Sequence, residues 1–83
     1  MSESPAEPDD VLEVDACGLA CPMPVIELAK AIQQVEVGAA VRLLATDPAA
    51  KVDVPVWARM QRHRLVSQDG VGGTWTFLVE RRR

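Results

Sequence analysis

Two cysteines four residues apart are the side chains of this sequence with the most distinctive chemistry. Cys17 and Cys21 lie in a short segment that also contains Gly18, Pro22 and Pro24. So few cysteines, so closely spaced, do not form the disulfide framework of a secreted domain. We therefore expect two free thiols in a reducing compartment, and an exposed free thiol can act as a nucleophile.

Cys21 has the local context of an activated thiol. Proline is favoured only in the first turn of a helix, so Pro22 and Pro24 predict a helix that begins at or just after Cys21. A cysteine at a helix N-cap faces unpaired N–H groups and the positive end of the dipole, which predicts a lowered pKa. Gly18 would allow a tight approach from the preceding strand. The alternative is that Cys21 is a small buried apolar residue, as many free cysteines are.

Several other thiol chemistries do not fit the spacing. The single histidine, His63, lies more than forty residues from Cys21, so the sequence offers no adjacent base for a Cys–His hydrolase. Two cysteines spaced C-x3-C with one remote histidine make neither a zinc site nor a thioredoxin-type motif. We expect no metal and no cofactor, and a lone activated thiol favours group transfer.

The hydrophobic pattern predicts helices that alternate with strands. Apolar side chains repeat at helical spacing after Pro22 and alternate with polar ones in the strands. Asp47-Pro48 is typical of a cap that opens a turn or a short helical start. Asp53-Val54-Pro55 is typical of a helix start, and residues 69–73 of a flexible hairpin loop. The predicted strands cover residues 11–15, 41–45, 65–67 and 74–80, and the predicted helices cover 22–35 and 53–63.

This β-α-β-α-β-β order predicts an α/β (α+β) two-layer sandwich. Two helices would cover one face of a four-stranded mixed sheet whose first two strands are parallel. The second strand is apolar enough to be buried on both faces. Residues 1–10 are expected to form a disordered acidic leader, and residues 11–83 one domain.

Composition and charge narrow the function classes. The 83 residues are 48% hydrophobic and 25% charged, a balance typical of globular proteins. No apolar run approaches the length of a membrane span. We therefore expect a cytoplasmic protein with no membrane contact. Residues 1–15 carry six acids and no base, whereas residues 59–83 carry six arginines and two acids. Three terminal arginines in a net-acidic chain are weak evidence for nucleic-acid binding, and we expect none.

Residues 15–24, Asp-Ala-Cys-Gly-Leu-Ala-Cys-Pro-Met-Pro, resemble the opening of the TusA/SirA-like sulfur carriers. The signature of that family is Gly-Leu-x-Cys-Pro-x-Pro after the first strand. The resemblance covers about residues 11–81, and its further matches are Val37-Gly38, residues 46–50, Asp53-Val54-Pro55, Trp57 and His63.

The resemblance implies a βαβαββ sandwich in which Cys21 carries a persulfide. Gly18, Pro22 and Pro24 would support the site, and Met23 and Val25 would form an apolar rim for a partner. The donor would be a cysteine desulfurase or a rhodanese-like protein, and the sulfur would pass to an acceptor protein in tRNA thiolation, molybdenum cofactor synthesis or sulfur oxidation. Such a protein is a sulfurtransferase component, expected to be a monomer, rather than a stand-alone multi-turnover enzyme.

The sequence departs from the family pattern at three places. Cys17 replaces a common aliphatic residue; it would pack in the loop, attack a Cys21 persulfide or form a disulfide. Ala58 stands where relatives often have a second cysteine, and Arg62-His63-Arg64 replaces what is often Gly-His-Glu, which reverses a surface charge. A thiol redox sensor that uses Cys17 and Cys21, and a small nucleic-acid-binding module, remain alternative functions.

Overall fold

Four strands and two helices follow one another in a computed structural model that describes residues 10–83. The predicted leader lies outside the described residues except for Asp10. The elements are β1 (Val11–Ala16), α1 (Met23–Ile32), β2 (Ala40–Ala45), α2 (Ala50–Met60), β3 (Arg64–Val71) and β4 (Thr74–Glu80).

The strands form one mixed sheet in the order β1-β2-β4-β3. β1 pairs with β2 in parallel, whereas β4 pairs antiparallel with both β2 and β3. The buried side chains of both helices join one core cluster with the inward-facing residues of the sheet. The predicted two-layer fold class is therefore confirmed.

The core lies between the helices and one face of the two central strands. Leu43 pairs with Phe77 and Val41 with Val79 across β2 and β4, and all four side chains are fully buried. The prediction that β2 is buried on both faces is wrong at Arg42 and Leu44, which lie on the opposite face and are only half-buried. That face has no helical layer, so alternate residues of β2 remain partly open to solvent.

The helix α2 begins at Ala50, three residues before the predicted start at Asp53. Asp47 determines this start, because its Oδ1 accepts the N–H of Ala49 at 3.0 Å and its carbonyl accepts the N–H of Ala50 at 3.0 Å. Asp47-Pro48 is therefore the helix-start signal. Pro55 lies inside the helix rather than at its beginning.

The helix α1 begins and ends close to the predicted bounds. Pro22 occupies the N-cap position, the Cys21–Pro22 peptide bond is cis, and the helix begins at Met23. It ends at Ile32, three residues earlier than predicted, and the chain then turns. The sequence thus located the start of this helix, which follows Cys21, more accurately than its end.

The hairpin between β3 and β4 is tighter than the sequence suggested. Its turn contains only Gly72 and Gly73, with φ of 61° and 86°, and positive φ at both positions is the pattern of a type I′ turn. The predicted loop over residues 69–73 is therefore wrong, and β3 extends to Val71. Gly70 pairs with Trp75, and a Cβ at Gly70 would collide with the Trp75 ring.

The helix α2 ends in a Schellman motif with an arginine at its left-handed position. The N–H of His63 donates to the carbonyl of Ala58 at 2.9 Å, and the N–H of Arg62 donates to the carbonyl of Arg59 at 3.1 Å. Arg62 has a φ of 62°, and among residues 10–83 no other residue except glycine has a positive φ. Glycine is the usual residue at this position because it has no Cβ to oppose this conformation.

Replacing Arg62 with glycine is expected to stabilise the fold by about 0.5–1 kcal/mol. Relief of the left-handed conformation is worth about 1–2 kcal/mol, and the greater freedom of glycine in the unfolded chain offsets about 0.4–1 kcal/mol. Urea denaturation would measure the difference. Arg59→Gly, inside the helix, is the control and should destabilise by about 1 kcal/mol; a loss of stability in Arg62→Gly would contradict the expectation.

Candidate functional site

Both cysteines lie in the segment that connects β1 to α1, residues 17–22, which we call the thiol loop. Cys17 is exposed, Cys21 is half-buried, and both are free thiols. Cys21 lies one residue before the N-cap Pro22, rather than at the cap itself as the sequence suggested. Pro24, in the first turn of α1, is buried and anchors the start of the helix in the core.

Side-chain oxygens hold the thiol loop in place. Because β1 and β2 are parallel, their carboxyl ends meet at one edge of the sheet, and polar residues there can reach the loop. Three backbone N–H groups of the loop donate to such oxygens, each at 2.9 Å. The pairs are Cys17 with Asp15 Oδ1, Gly18 with Thr46 Oγ1, and Cys21 with Asp47 Oδ2.

Asp47 has two roles that the sequence did not separate. One carboxylate oxygen accepts the N–H of Ala49 and fixes the start of α2, and the other accepts the N–H of Cys21. Its position just after a strand parallel to β1 is the signal that could have placed it beside the thiol loop. Gly18 has a φ of 85°, so the loop uses the left-handed conformation that glycine adopts most easily.

The pKa of the Cys21 thiol is raised, contrary to the sequence-based prediction. Burial raises it most, followed by a hydrogen bond to the Asp53 carboxylate and by the negative charges of Asp53 and Asp47. Burial and nearby anions both disfavour a thiolate. Because Cys21 precedes the N-cap, the helix N-terminus does not outweigh these effects. The pKa of Cys17 is raised as well, chiefly by a hydrogen bond to Asp15.

Asp53→Asn is expected to lower the pKa of Cys21 and to speed its alkylation at neutral pH. The substitution removes an anion that favours the protonated thiol. Each unit by which the pKa falls raises the thiolate fraction about tenfold but makes the thiolate a weaker nucleophile. The alkylation rate should therefore rise about threefold for each pKa unit. Iodoacetamide rates across a pH series, measured in a Cys17→Ser background, would give the midpoint.

The matched control for that experiment is Asp69→Asn, which removes an exposed carboxylate from β3, the strand at the opposite edge of the sheet from β1. It should leave the midpoint where the wild type has it. An unchanged midpoint in Asp53→Asn would show that Asp53 does not contribute to the raised pKa of Cys21.

Apolar side chains border the thiol loop. Met23 is exposed, as expected for a rim residue, but Val25 is half-buried against the core. Ile26, which the sequence analysis did not select, is 42% exposed, and Leu19 in the loop is 37% exposed. The helical period explains the difference, since adjacent positions on α1 face different directions.

The other residues that the sequence singled out lie elsewhere. The His63 ring packs against Trp57 with centroids 5.6 Å apart, and its Nδ1 accepts the N–H of Arg82 at 3.2 Å. Ala58 is buried, so its side chain does not reach solvent. Within residues 10–83, no three His, Cys, Asp or Glu side chains are grouped to hold a metal ion. In the same range, neither helix is long and apolar enough to cross a lipid bilayer.

Comparison with known proteins identifies the family. The family model described as Sulfurtransferase TusA matches residues 12–81. The chain belongs to the TusA family. It is 32% identical over 69 residues to the sulfur carrier protein TusA of Pseudomonas entomophila, which covers 83% of this chain and 86% of the relative. It is 37% identical over 68 residues to the Bacillus subtilis protein YrkI, covering 82% and 91% respectively.

A solved structure supports the same assignment at the level of the fold. The crystal structure of a SirA-like protein from Desulfitobacterium hafniense superposes with a TM-score of 0.76 at 22% identity, covering 87% of this chain and 99% of the other. Proteins of the TusA family act in sulfur relay, between proteins that donate sulfur and proteins that accept it. This chain therefore has a general sulfur-relay role.

Proposed function

We propose that Cys21 carries the relayed sulfur as a persulfide. The observation that carries the proposal is the position of this thiol. Cys21 is half-buried just before α1, and its backbone N–H donates to Asp47 Oδ2 with an N–O distance of 2.9 Å. A fixed thiol that still reaches solvent can meet a partner's reacting sulfur without reorganising the loop.

The proposed transfer is an exchange between thiols. The Cys21 thiolate attacks the outer sulfur of a donor persulfide, a new S–S bond forms, the donor's S–S bond breaks, and the donor cysteine leaves as a thiolate. Cys21 then bears one additional sulfur. An acceptor thiolate attacks this outer sulfur, and Cys21 leaves as a thiolate. No net oxidation or reduction occurs in either step.

The electrostatics of Cys21 support a carrier that reacts only when docked. Burial and the carboxylates of Asp53 and Asp47 keep the free thiol protonated, which limits reaction with small oxidants and electrophiles. A donor that brings a cationic group to these carboxylates would lower the pKa of Cys21 as the complex forms. The partner, rather than a base within the carrier, would then activate the thiol.

The resemblance to the TusA family suggests the partners. The donor would be a cysteine desulfurase or a rhodanese-like protein, since both present sulfane sulfur on a cysteine. The acceptor would belong to tRNA thiolation, molybdenum cofactor synthesis or sulfur oxidation. We propose a cytoplasmic monomer that docks to each in turn through the surface around Met23 and Ile26, which are exposed beside the thiol loop.

Intact-mass spectrometry tests the proposal directly. The chain would be incubated with a cysteine desulfurase and cysteine, and separately with a rhodanese and thiosulfate. We expect a gain of one sulfur atom with at least one donor, and its loss on treatment with a reductant. Fragmentation should assign the added sulfur to Cys21. No gain with either donor, each shown to be active on another thiol, would contradict the proposal.

A further inference from the structure

A concave surface lies at the end of α2 that is farther from the thiol loop. Its lining consists of four arginines and one histidine, and its volume is about 370 Å³. Cys21 does not line this surface. Asp53, the hydrogen-bond partner of the Cys21 thiol, lies about 9 Å along the helix axis from Arg59. We call this surface the arginine cleft; its residues are Arg59, Arg62, His63, Arg64 and Arg82.

Among residues 10–83, the arginine cleft has more positive charge than the neighbouring carboxylates neutralise. Arg64 and Arg82 both approach Oε1 of Glu80, at 3.4 Å and 3.9 Å. Within residues 10–83, Arg59 and Arg62 make no side-chain hydrogen bond or ion pair. Among these residues, one carboxylate therefore partners two of the four guanidinium groups and leaves the other two unpaired, and a concave surface concentrates the resulting field.

The backbone at Arg62 provides independent evidence for a use of its side chain. Arg62 occupies the left-handed position of the Schellman motif, where glycine would cost less. A strained residue that points a charge into a cleft is more consistent with a binding role than with a stabilising one. The positive charge of Arg62 is therefore present at this position although it lowers the stability of the fold.

His63 adds a neutral hydrogen-bond donor to the four cations. Its Nδ1 accepts the N–H of Arg82, so the neutral ring carries its proton on Nε2. Burial and the positive charges of Arg83 and Arg81 hold the pKa of His63 below its usual value. A bound anion would oppose those charges and raise the pKa of His63.

We propose that the arginine cleft binds a phosphate-bearing ligand with two or more negative charges. The guanidinium fork matches phosphate oxygens in a bidentate manner, and several forks converge here. One carboxylate would neutralise one of the unpaired arginines, whereas an oligophosphate can contact several at once. The surface is shallow and open, so a ligand there would stay partly exposed to solvent and would be held mainly by charge. This activity is separate from sulfur transfer and does not depend on Cys21.

The single histidine of the chain makes the test direct, since its Cε1 proton gives one imidazole resonance in the NMR spectrum. Pyrophosphate would be titrated into the full-length chain at low ionic strength. We expect the pKa of His63 to rise by about half a unit or more. Arg62→Gly should weaken pyrophosphate binding about tenfold while the fold becomes more stable. Lost binding in that variant could therefore not be attributed to unfolding.

Lys30→Gln is the matched control, because it also removes one positive charge, from an exposed position on α1. It should bind pyrophosphate as the wild type does, and an equal loss in both variants would overturn the proposal as an effect of net charge. No change in the pKa of His63 would also overturn it.

Two further probes identify the source of the phosphate. Tighter binding of a short oligouridine than of pyrophosphate would assign the site to a nucleic-acid backbone, and the reverse order to a small oligophosphate. Binding of an oligoglutamate peptide in place of both would overturn the proposal and assign the cleft to an acidic protein segment.

Discussion

Cys21→Ser is expected to abolish sulfur loading, whereas Cys17→Ser should load one sulfur atom as the wild type does. Serine offers no sulfur to form the S–S bond, so the covalent intermediate cannot exist. The fold should persist, since Asp47 accepts the backbone N–H of residue 21 rather than its side chain. Intact mass after incubation with an active donor measures loading, and circular dichroism checks the fold.

Cys17→Ser makes this prediction specific to one thiol. Cys17 is exposed, and its backbone N–H, which serine retains, donates to Asp15. Loading that disappears in Cys17→Ser and persists in Cys21→Ser would place the carrier thiol at Cys17. Loss of two hydrogens from the wild type under mild oxidant, with no sulfur gain from any donor, would instead support a disulfide-based redox sensor.

Phe77→Ala is expected to destabilise the domain by about 3–5 kcal/mol, the range measured for removal of a fully buried aromatic side chain. Phe77 is the largest of the fully buried side chains and pairs with Leu43 at the centre of the sheet. A domain of this size has about 4–12 kcal/mol of stability, so much of the variant could be unfolded at room temperature. Urea denaturation followed by tryptophan fluorescence would measure the loss.

Two milder variants keep this second prediction testable if Phe77→Ala does not fold. Phe77→Leu keeps most of the apolar volume and should cost clearly less than the alanine variant. Val71→Ala removes an apolar side chain that is 82% exposed and should change stability by less than about 0.5 kcal/mol. Similar losses in the three variants would show that the core does not lie where we describe it.

The thiol loop and the arginine cleft use opposite charges at the two ends of α2. Near its N-terminus, Asp53 and Asp47 add to the effect of burial and raise the pKa of Cys21, whereas near its C-terminus Arg59 and Arg62 have no ion-pair partner within residues 10–83. The carboxylates favour a protonated thiol at rest. The two ends can therefore serve different ligands, a sulfur-exchanging partner at one and a phosphate-bearing ligand at the other.

Local sequence patterns were sufficient for the order of the elements and for the position of Cys21 just before α1. The alternation of Trp75, Phe77 and Val79 gave β4 its bounds, because a period of two is a property of the strand itself. Pro22 and Pro24 located the start of α1 because proline restricts its own backbone. These features needed no contact with a distant part of the chain.

Specific contacts, some local and some between distant residues, decided the rest. The start of α2 depends on the hydrogen bonds that Asp47 accepts from Ala49 and Ala50, and the length of the hairpin depends on the pairing of Gly70 with Trp75. The pKa of Cys21 is raised rather than lowered because the fold buries the thiol and places Asp53, which is distant in sequence, beside it. Local patterns report what a segment does to its own backbone. Burial, charge and the arginine cleft depend on which segments the fold brings together, and only the tertiary structure determines that.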